Sequence, residues 1–100
     1  MIQHIVAWDY ADGFSDVENK QHAQKMKDEL EALAKIVDGI VELNVIIEPL
    51  PSSSRDIVLY SVFGSEEKLK AYQVHPEHER IAAFIGTVMT NRVCIDYTSK

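Results

Sequence analysis

Cysteine is almost absent from this sequence, which contains a single one, Cys94, among 100 residues. No disulfide can therefore form within the chain, and such sparse use of cysteine is typical of a reducing compartment. No apolar run approaches the roughly 18–20 residues that a membrane helix needs. Residues 1–8 also lack the basic leader of a signal peptide. Together these absences predict a soluble, cytoplasmic protein that does not bind membranes.

Basic residues are also scarce, with 10 lysines and arginines against 16 acidic residues and a formal charge of −6. They are scattered along the chain, so the sequence predicts no nucleic-acid groove and no patch for anionic lipids. A phosphate-binding loop, a serine nucleophile elbow, a dinucleotide glycine motif and a zinc-type cysteine pair are all missing. We therefore expect neither a cofactor nor a metal site built from side chains.

The remaining pattern fits one domain, 1–100, whose 46% hydrophobic content allows a modest core. Alternating apolar residues predict strands over 2–10, 40–47, 56–63 and 92–98. Predicted helices run from the Ser15–Glu18 capping box to about Val37, from Ser65 to the break before Pro76, and from Pro76 to roughly Thr90. This order, β-α-β-β-α-β, predicts a ferredoxin-like α+β fold, with a four-stranded antiparallel sheet and its helices on one face.

The other face of such a sheet would be bare, although its strand residues are largely apolar. An exposed apolar face of this size usually marks an interface. Two sheets packed face to face would cover it and close a dimeric α/β barrel. The pattern therefore predicts a homodimer.

The stretch from Ala71 to His78 carries the most unusual chemistry, a phenol, two imidazoles and a carboxylate around one proline. Pro76 suits the first position of a helix, which makes His75 the predicted N-cap and puts His78 in the first turn. His78 continues the apolar stripe of that helix, and Tyr72 lies three residues after Leu69, so both rings should face inward. Burying them unpaired is costly. They need each other or a ligand as partners.

Three segments, 2–6, 71–78 and 93–97, resemble the stress-responsive dimeric α/β-barrel (Dabb) family. The string Tyr-x-x-His-Pro-x-His at 72–78 is the most specific part of this resemblance. The family resemblance implies a homodimer with a cavity in each subunit, between the sheet and the helices. It predicts fold better than function, because members of one fold carry many functions.

A plant polyketide cyclase of this family uses a tyrosine and a histidine for an intramolecular aldol condensation without an organic cofactor. The resemblance implies the same roles for Tyr72 and His78, with His78 as general base, and places His4 in the cavity wall. We predict that the cavity binds a small apolar or aromatic ligand through His4, Val6, Trp8, Leu59, Tyr72 and His78. Bulky Trp8 would shrink this cavity, and Arg92 and Cys94 would replace aliphatic lining residues.

Two functional hypotheses follow. The first is a stress-type homodimer that binds a small molecule without catalysis, and the second is a cofactor-independent cyclase or lyase. Monooxygenase-like chemistry, a related alternative, has no residue signature in this chain. An open cavity that reaches His78 would favour an enzyme, whereas a buried hydrogen-bonded Tyr72–His78 pair would favour a purely structural role.

Individual residues have simpler interpretations as well. Cys94 is predicted to be a small buried hydrophobe, and His22 a surface residue of the first helix. Asp96 and Tyr97 are expected to end the last strand and to pack at the dimer interface.

Overall fold

The computed structural model describes residues 1–99, and its elements follow the predicted order. The strands are β1 (Ile2–Tyr10), β2 (Ile40–Ile46), β3 (Ile57–Phe63) and β4 (Met89–Thr98). The helices are α1 (Asp16–Ala32), α2 (Glu66–Gln73) and α3 (Pro76–Val88), and a short 3₁₀ turn, Leu33–Lys35, follows α1. None of the helices within this described part is long and apolar enough to cross a membrane.

The predicted capping box starts α1. The Ser15 side chain accepts a hydrogen bond from the Glu18 N–H at 3.1 Å, and the Glu18 carboxylate accepts one from the Ser15 N–H at 2.9 Å. The regular helix ends at Ala32, earlier than the predicted Val37, because its last turn tightens into the 3₁₀ form. Gly39 then turns the chain with φ +93°, and a Cβ there would lie 2.6 Å from the Lys68 side chain. Only glycine fits this turn.

The four strands form one antiparallel sheet in the order β2-β3-β1-β4, which confirms the predicted ferredoxin-like α+β fold. On β1, alternate residues face the helices, and their partners on β3 face the same way. The pairs are Ile2 with Phe63, His4 with Ser61, Val6 with Leu59 and Trp8 with Ile57. The core lies between this sheet face and the apolar stripes of α1 and α3, where Met26, Leu30, Ile81 and Ile85 are buried.

The start of β4 differs from the prediction. The structure ends α3 at Val88 and starts the strand at Met89, where the sequence suggested a helix to Thr90. Met89 and Thr90 already pair with the end of β1. The register then shifts, Asn91 adopts φ +52°, and its side-chain amide donates to Asp9 at 3.1 Å. Strand pairing and this bulge override the helical pattern, and they carry the chain past the end of α3.

The face of the sheet opposite the helices is apolar, as predicted. Two rows of paired residues cross it from the edge strand β4 inward: Val93, Ala7, Val58 and Ile46 in one row, and Ile95, Ile5, Tyr60 and Asn44 in the other. In the single chain, Ile95 is 58% exposed. We call these residues the outer sheet face.

Candidate functional site

A cavity of about 300 Å³ lies between the inner face of the sheet and helices α1 and α3. All six residues predicted to line a ligand cavity border it: His4, Val6, Trp8, Leu59, Tyr72 and His78. Arg92, whose place in the lining was also anticipated, borders it as well, whereas Cys94 does not border it. The bulk of Trp8 therefore leaves an open space that reaches His78.

Sequence reasoning missed several further lining residues: Leu30, Ala82, Ile85, Gly86, Met89, Thr90 and Asn91. Part of this set had a signal. Ala82, Ile85 and Gly86 follow His78 by four, seven and eight residues and so share its side of α3. Thr90 and Asn91 had no such sequence signal. They border the cavity because β4 starts at Met89, where the sequence predicted the end of a helix.

Tyr72 is fully buried, and within residues 1–99 its hydroxyl has no hydrogen-bond partner. Its ring packs against Phe63, with ring centroids 4.9 Å apart, and against His78 at 4.4 Å. The two predicted site rings therefore contact each other in a tilted arrangement, with 53° between their planes, and not through a hydrogen bond. Burial raises the pKa of Tyr72 well above its ordinary value, so the group is a neutral phenol that can donate.

The break at Pro76 positions His78 as predicted. α2 ends at Gln73, and His75 is the N-cap of α3, where its Nδ1 accepts a hydrogen bond from the Glu77 N–H at 3.1 Å. The Nδ1–H of His78 donates to the Gln73 carbonyl at 3.2 Å, because a carbonyl can only accept. This bond assigns the tautomer of the neutral ring and leaves the lone pair on Nε2.

His78 is half-buried, and burial is the largest cause that lowers its pKa below the ordinary 6.5. The bond to the Gln73 carbonyl opposes this shift, and electrostatic interaction with His4 and Arg92 adds to it. At neutral pH the ring is therefore uncharged, and its Nε2 can act as a proton acceptor.

The lowered pKa of His78 predicts a pH dependence of stability. Below about pH 6.5 the unfolded chain binds a proton at this position that the folded chain resists, so the free energy of unfolding falls as the pH falls through this range. His78→Gln should remove this contribution. Imidazole NMR titration measures the pKa directly, and a folded-state pKa at or above 6.5 would contradict the assignment.

His4 is 3% exposed and is held on two sides. The Ser61 hydroxyl donates to its carbonyl at 2.7 Å, and its Nδ1 contacts the carboxylate of Asp96, its partner in the β1–β4 register. Asp96 was expected only to end the strand and to pack at a dimer interface. In the structure its carboxylate accepts from Nδ1–H of His4 and so orients a cavity-lining imidazole.

The prediction for Cys94 was wrong, because its side chain is exposed. β4 is an edge strand, and the helices do not cover the part of it that carries Cys94. The Sγ atom lies 3.6 Å from Oδ1 of Asp96 and 3.8 Å from Nδ1 of His4. Desolvation, followed by the charge of Asp96, raises the pKa of the thiol, which disfavours a thiolate nucleophile.

The atoms of His4, Cys94 and Asp96 that could bind a metal lie within 4.8 Å of one another. This set could supply three ligands, whereas His75 and His78 each use Nδ1 in a hydrogen bond to the backbone. The expectation that the protein holds no metal stays a prediction.

His22 is not a free surface residue. It is half-buried on α1, and its ring packs edge-on against Phe14, with centroids 4.7 Å apart, and more distantly against Phe84. It does not line the cavity. Helical periodicity predicted that His22 is exposed on the surface. The ring of Phe14, in the loop before α1, partly covers it.

Several solved structures share this architecture over the full chain. A dimeric protein of unknown function with a ferredoxin-like fold from Bacteroides fragilis is 28% identical, with a TM-score of 0.90 over 98% of this chain and 95% of that one. A dimeric ferredoxin-like protein of unknown function from Thermobifida fusca is 19% identical, with a TM-score of 0.82 over 98% and 90%. The hydroxynitrile lyase from Passiflora edulis is 15% identical, with a TM-score of 0.81 over 99% and 93%.

No curated protein matches the sequence. The model of one protein family does match, and it covers residues 2–99, nearly the whole chain. Its match spans the sheet, the helices and every residue of the cavity wall. The chain belongs to the family of the stress responsive A/B barrel domain.

Proposed function

We propose that this protein is a homodimer that binds a small apolar or aromatic molecule in the cavity of each chain. The observation that carries this proposal is Tyr72, which lines a 300 Å³ space and whose buried hydroxyl has no partner in residues 1–99. Leaving such a group unpaired costs about 1–3 kcal/mol. A ligand that accepts its hydrogen bond would offset this cost, while Val6, Trp8 and Leu59 would contact an apolar body.

The outer sheet face supports the dimer. It presents apolar rows that a second copy would bury, and it lies opposite the cavity, so pairing leaves each cavity available. The relatives from Bacteroides fragilis and Thermobifida fusca are described as dimeric. The family description and the single cysteine support a stress-related role in the cytoplasm.

A second candidate function is a cofactor-independent lyase or cyclase, favoured by the state of the two site rings. Neutral His78 holds its lone pair on Nε2 and could remove a proton next to a carbonyl. Tyr72, in ring contact with it, is a neutral phenol that could donate to the developing oxyanion. The Passiflora edulis relative, a hydroxynitrile lyase, shares the fold.

Calorimetric titration with the neutral aromatic probe 2-naphthamide tests the binding function. We expect saturable binding of one molecule per chain, with a change in the fluorescence of Trp8, the sole tryptophan, which lines the cavity. No heat and no fluorescence change at millimolar probe would contradict the proposal.

A proton-exchange measurement separates the two candidates. If the site is catalytic, the wild type should accelerate deuterium exchange into the methyl group of 2-acetonaphthone, and His78→Gln should abolish the acceleration. Binding without accelerated exchange would support the non-catalytic function.

A further inference from the structure

We propose that the ligand of this cavity is an apolar or aromatic monocarboxylate whose carboxylate binds Arg92. This inference rests on the proposed binding function and specifies the ligand class. It is carried by the distribution of charge around the cavity and by the position of Arg92 in its wall.

The cavity wall has a charge opposite to that of the chain. The sequence contains 16 acidic residues and has a formal charge of −6. Across the described residues 1–99, no acidic side chain borders the cavity, and Arg92 is its one permanently charged group. A cavity wall that carries one positive charge and no negative charge attracts an anion. In so acidic a chain this distribution favours a ligand that carries a carboxylate.

Arg92 differs from the other two arginines of the chain. Arg80 pairs with Glu29 and Glu77, and Arg55 donates to the carbonyls of Asn91 and Ser54. Within residues 1–99, the guanidinium of Arg92 has no carboxylate within ion-pair distance and no carbonyl partner, and it interacts with the Cys94 thiol. An arginine has five N–H donors, so donors remain available to a ligand in the cavity that Tyr72 also lines.

The bulge at the start of β4 explains how Arg92 reaches this position. Asn91, at φ +52° and tied to Asp9, shifts the register so that Arg92 borders the cavity at the end of α3. The charge of Arg92 also contributes, after burial and His4, to the lowered pKa of His78. Arg92 and His78 therefore lie close enough to interact, and both line the cavity.

A single guanidinium matches one carboxylate, because its planar fork pairs with two carboxylate oxygens. The rest of the lining is mainly apolar and aromatic, including Val6, Trp8 and Ile85. The volume of about 300 Å³ lies at the lower limit for small-molecule pockets, about 300–1,000 Å³. One acidic group on a compact apolar body satisfies both features.

Paired titrations with 2-naphthoate and 2-naphthamide test this inference, since the two probes share a ring system and differ in charge. We expect the wild type to bind naphthoate about tenfold more tightly, as one charge-assisted hydrogen bond would allow. Arg92→Gln should abolish the preference, so that the two probes bind with equal affinity. The control, Lys20→Gln, removes one positive charge from an exposed position on α1 and should keep the preference.

The outcomes separate this inference from the function on which it rests. Equal affinities in the wild type, or a naphthoate preference that survives Arg92→Gln, would overturn the carboxylate inference and leave the binding function intact. A preference that Lys20→Gln also removes would assign it to net charge and overturn the role of Arg92. If neither probe binds, the binding function and this inference both fail.

Discussion

Replacing Gly86 with leucine is expected to abolish binding of 2-naphthamide, weakening it by at least about 100-fold, an effect of about 2.7 kcal/mol. Gly86 borders the cavity from α3, and a Cβ built there meets no atom within 4 Å. A leucine side chain would therefore extend into open space that the ligand needs. Because glycine is unfavourable inside a helix, the same change should raise the free energy of unfolding by about 0.5–1 kcal/mol.

Ala83→Leu is the matched control, because Ala83 lies on the same helix but is exposed and does not line the cavity. It should bind the probe as the wild type does. Circular dichroism and denaturant unfolding verify that both variants fold. Undiminished binding by folded Gly86→Leu would mean that the probe binds outside this cavity.

Placing an aspartate at Ile95 is expected to dissociate the dimer, with an association at least about 100-fold weaker than in the wild type. Ile95 is 58% exposed in the single chain and lies beside Ile5 on the outer sheet face. In a dimer that buries this face, the new carboxylate would lose its hydration without gaining a partner. Sedimentation velocity at micromolar concentrations measures the change.

Val17→Asp introduces the same charge at another exposed apolar residue, 66% exposed on α1, on the helical side of the molecule. This control should leave the dimer intact. A wild type that sediments as a monomer would contradict the dimer itself. A dimer that persists in Ile95→Asp would place the interface elsewhere.

The sequence was most informative where a local rule had one solution. Pro76 separates two helices. This break makes His75 the N-cap of the second helix and places His78 in its first turn, facing inward. Alternation along β1 put His4, Val6 and Trp8 on one side of the strand, and the family resemblance implied that His4 lines the cavity. Local patterns and the family resemblance together account for five of the six predicted lining residues, and Leu59 had no such signal.

The residues that sequence reasoning missed depend on pairing between distant strands. Asp96 contacts His4 because residues 92 apart are register partners, and no local pattern specifies that register. Cys94 is apolar enough for a core, but its edge strand leaves it exposed. The sequence also could not predict that the Tyr72 hydroxyl lacks a hydrogen-bond partner. Helical periodicity predicts that the ring faces inward, but it does not predict which groups surround the hydroxyl.

On the proposed function, the Tyr72 hydroxyl serves a ligand and does not stabilise the fold. Urea unfolding of the wild type and Tyr72→Phe, at one fixed protein concentration because dimer stability depends on it, tests this directly. Ser61→Ala is the control, because its buried hydroxyl does have a partner, the His4 carbonyl at 2.7 Å, and its removal should cost about 1 kcal/mol. We predict that Tyr72→Phe leaves the free energy of unfolding unchanged or raises it. A loss of about 1–3 kcal/mol would show that the hydroxyl forms a stabilising bond within the protein and would contradict the central claim.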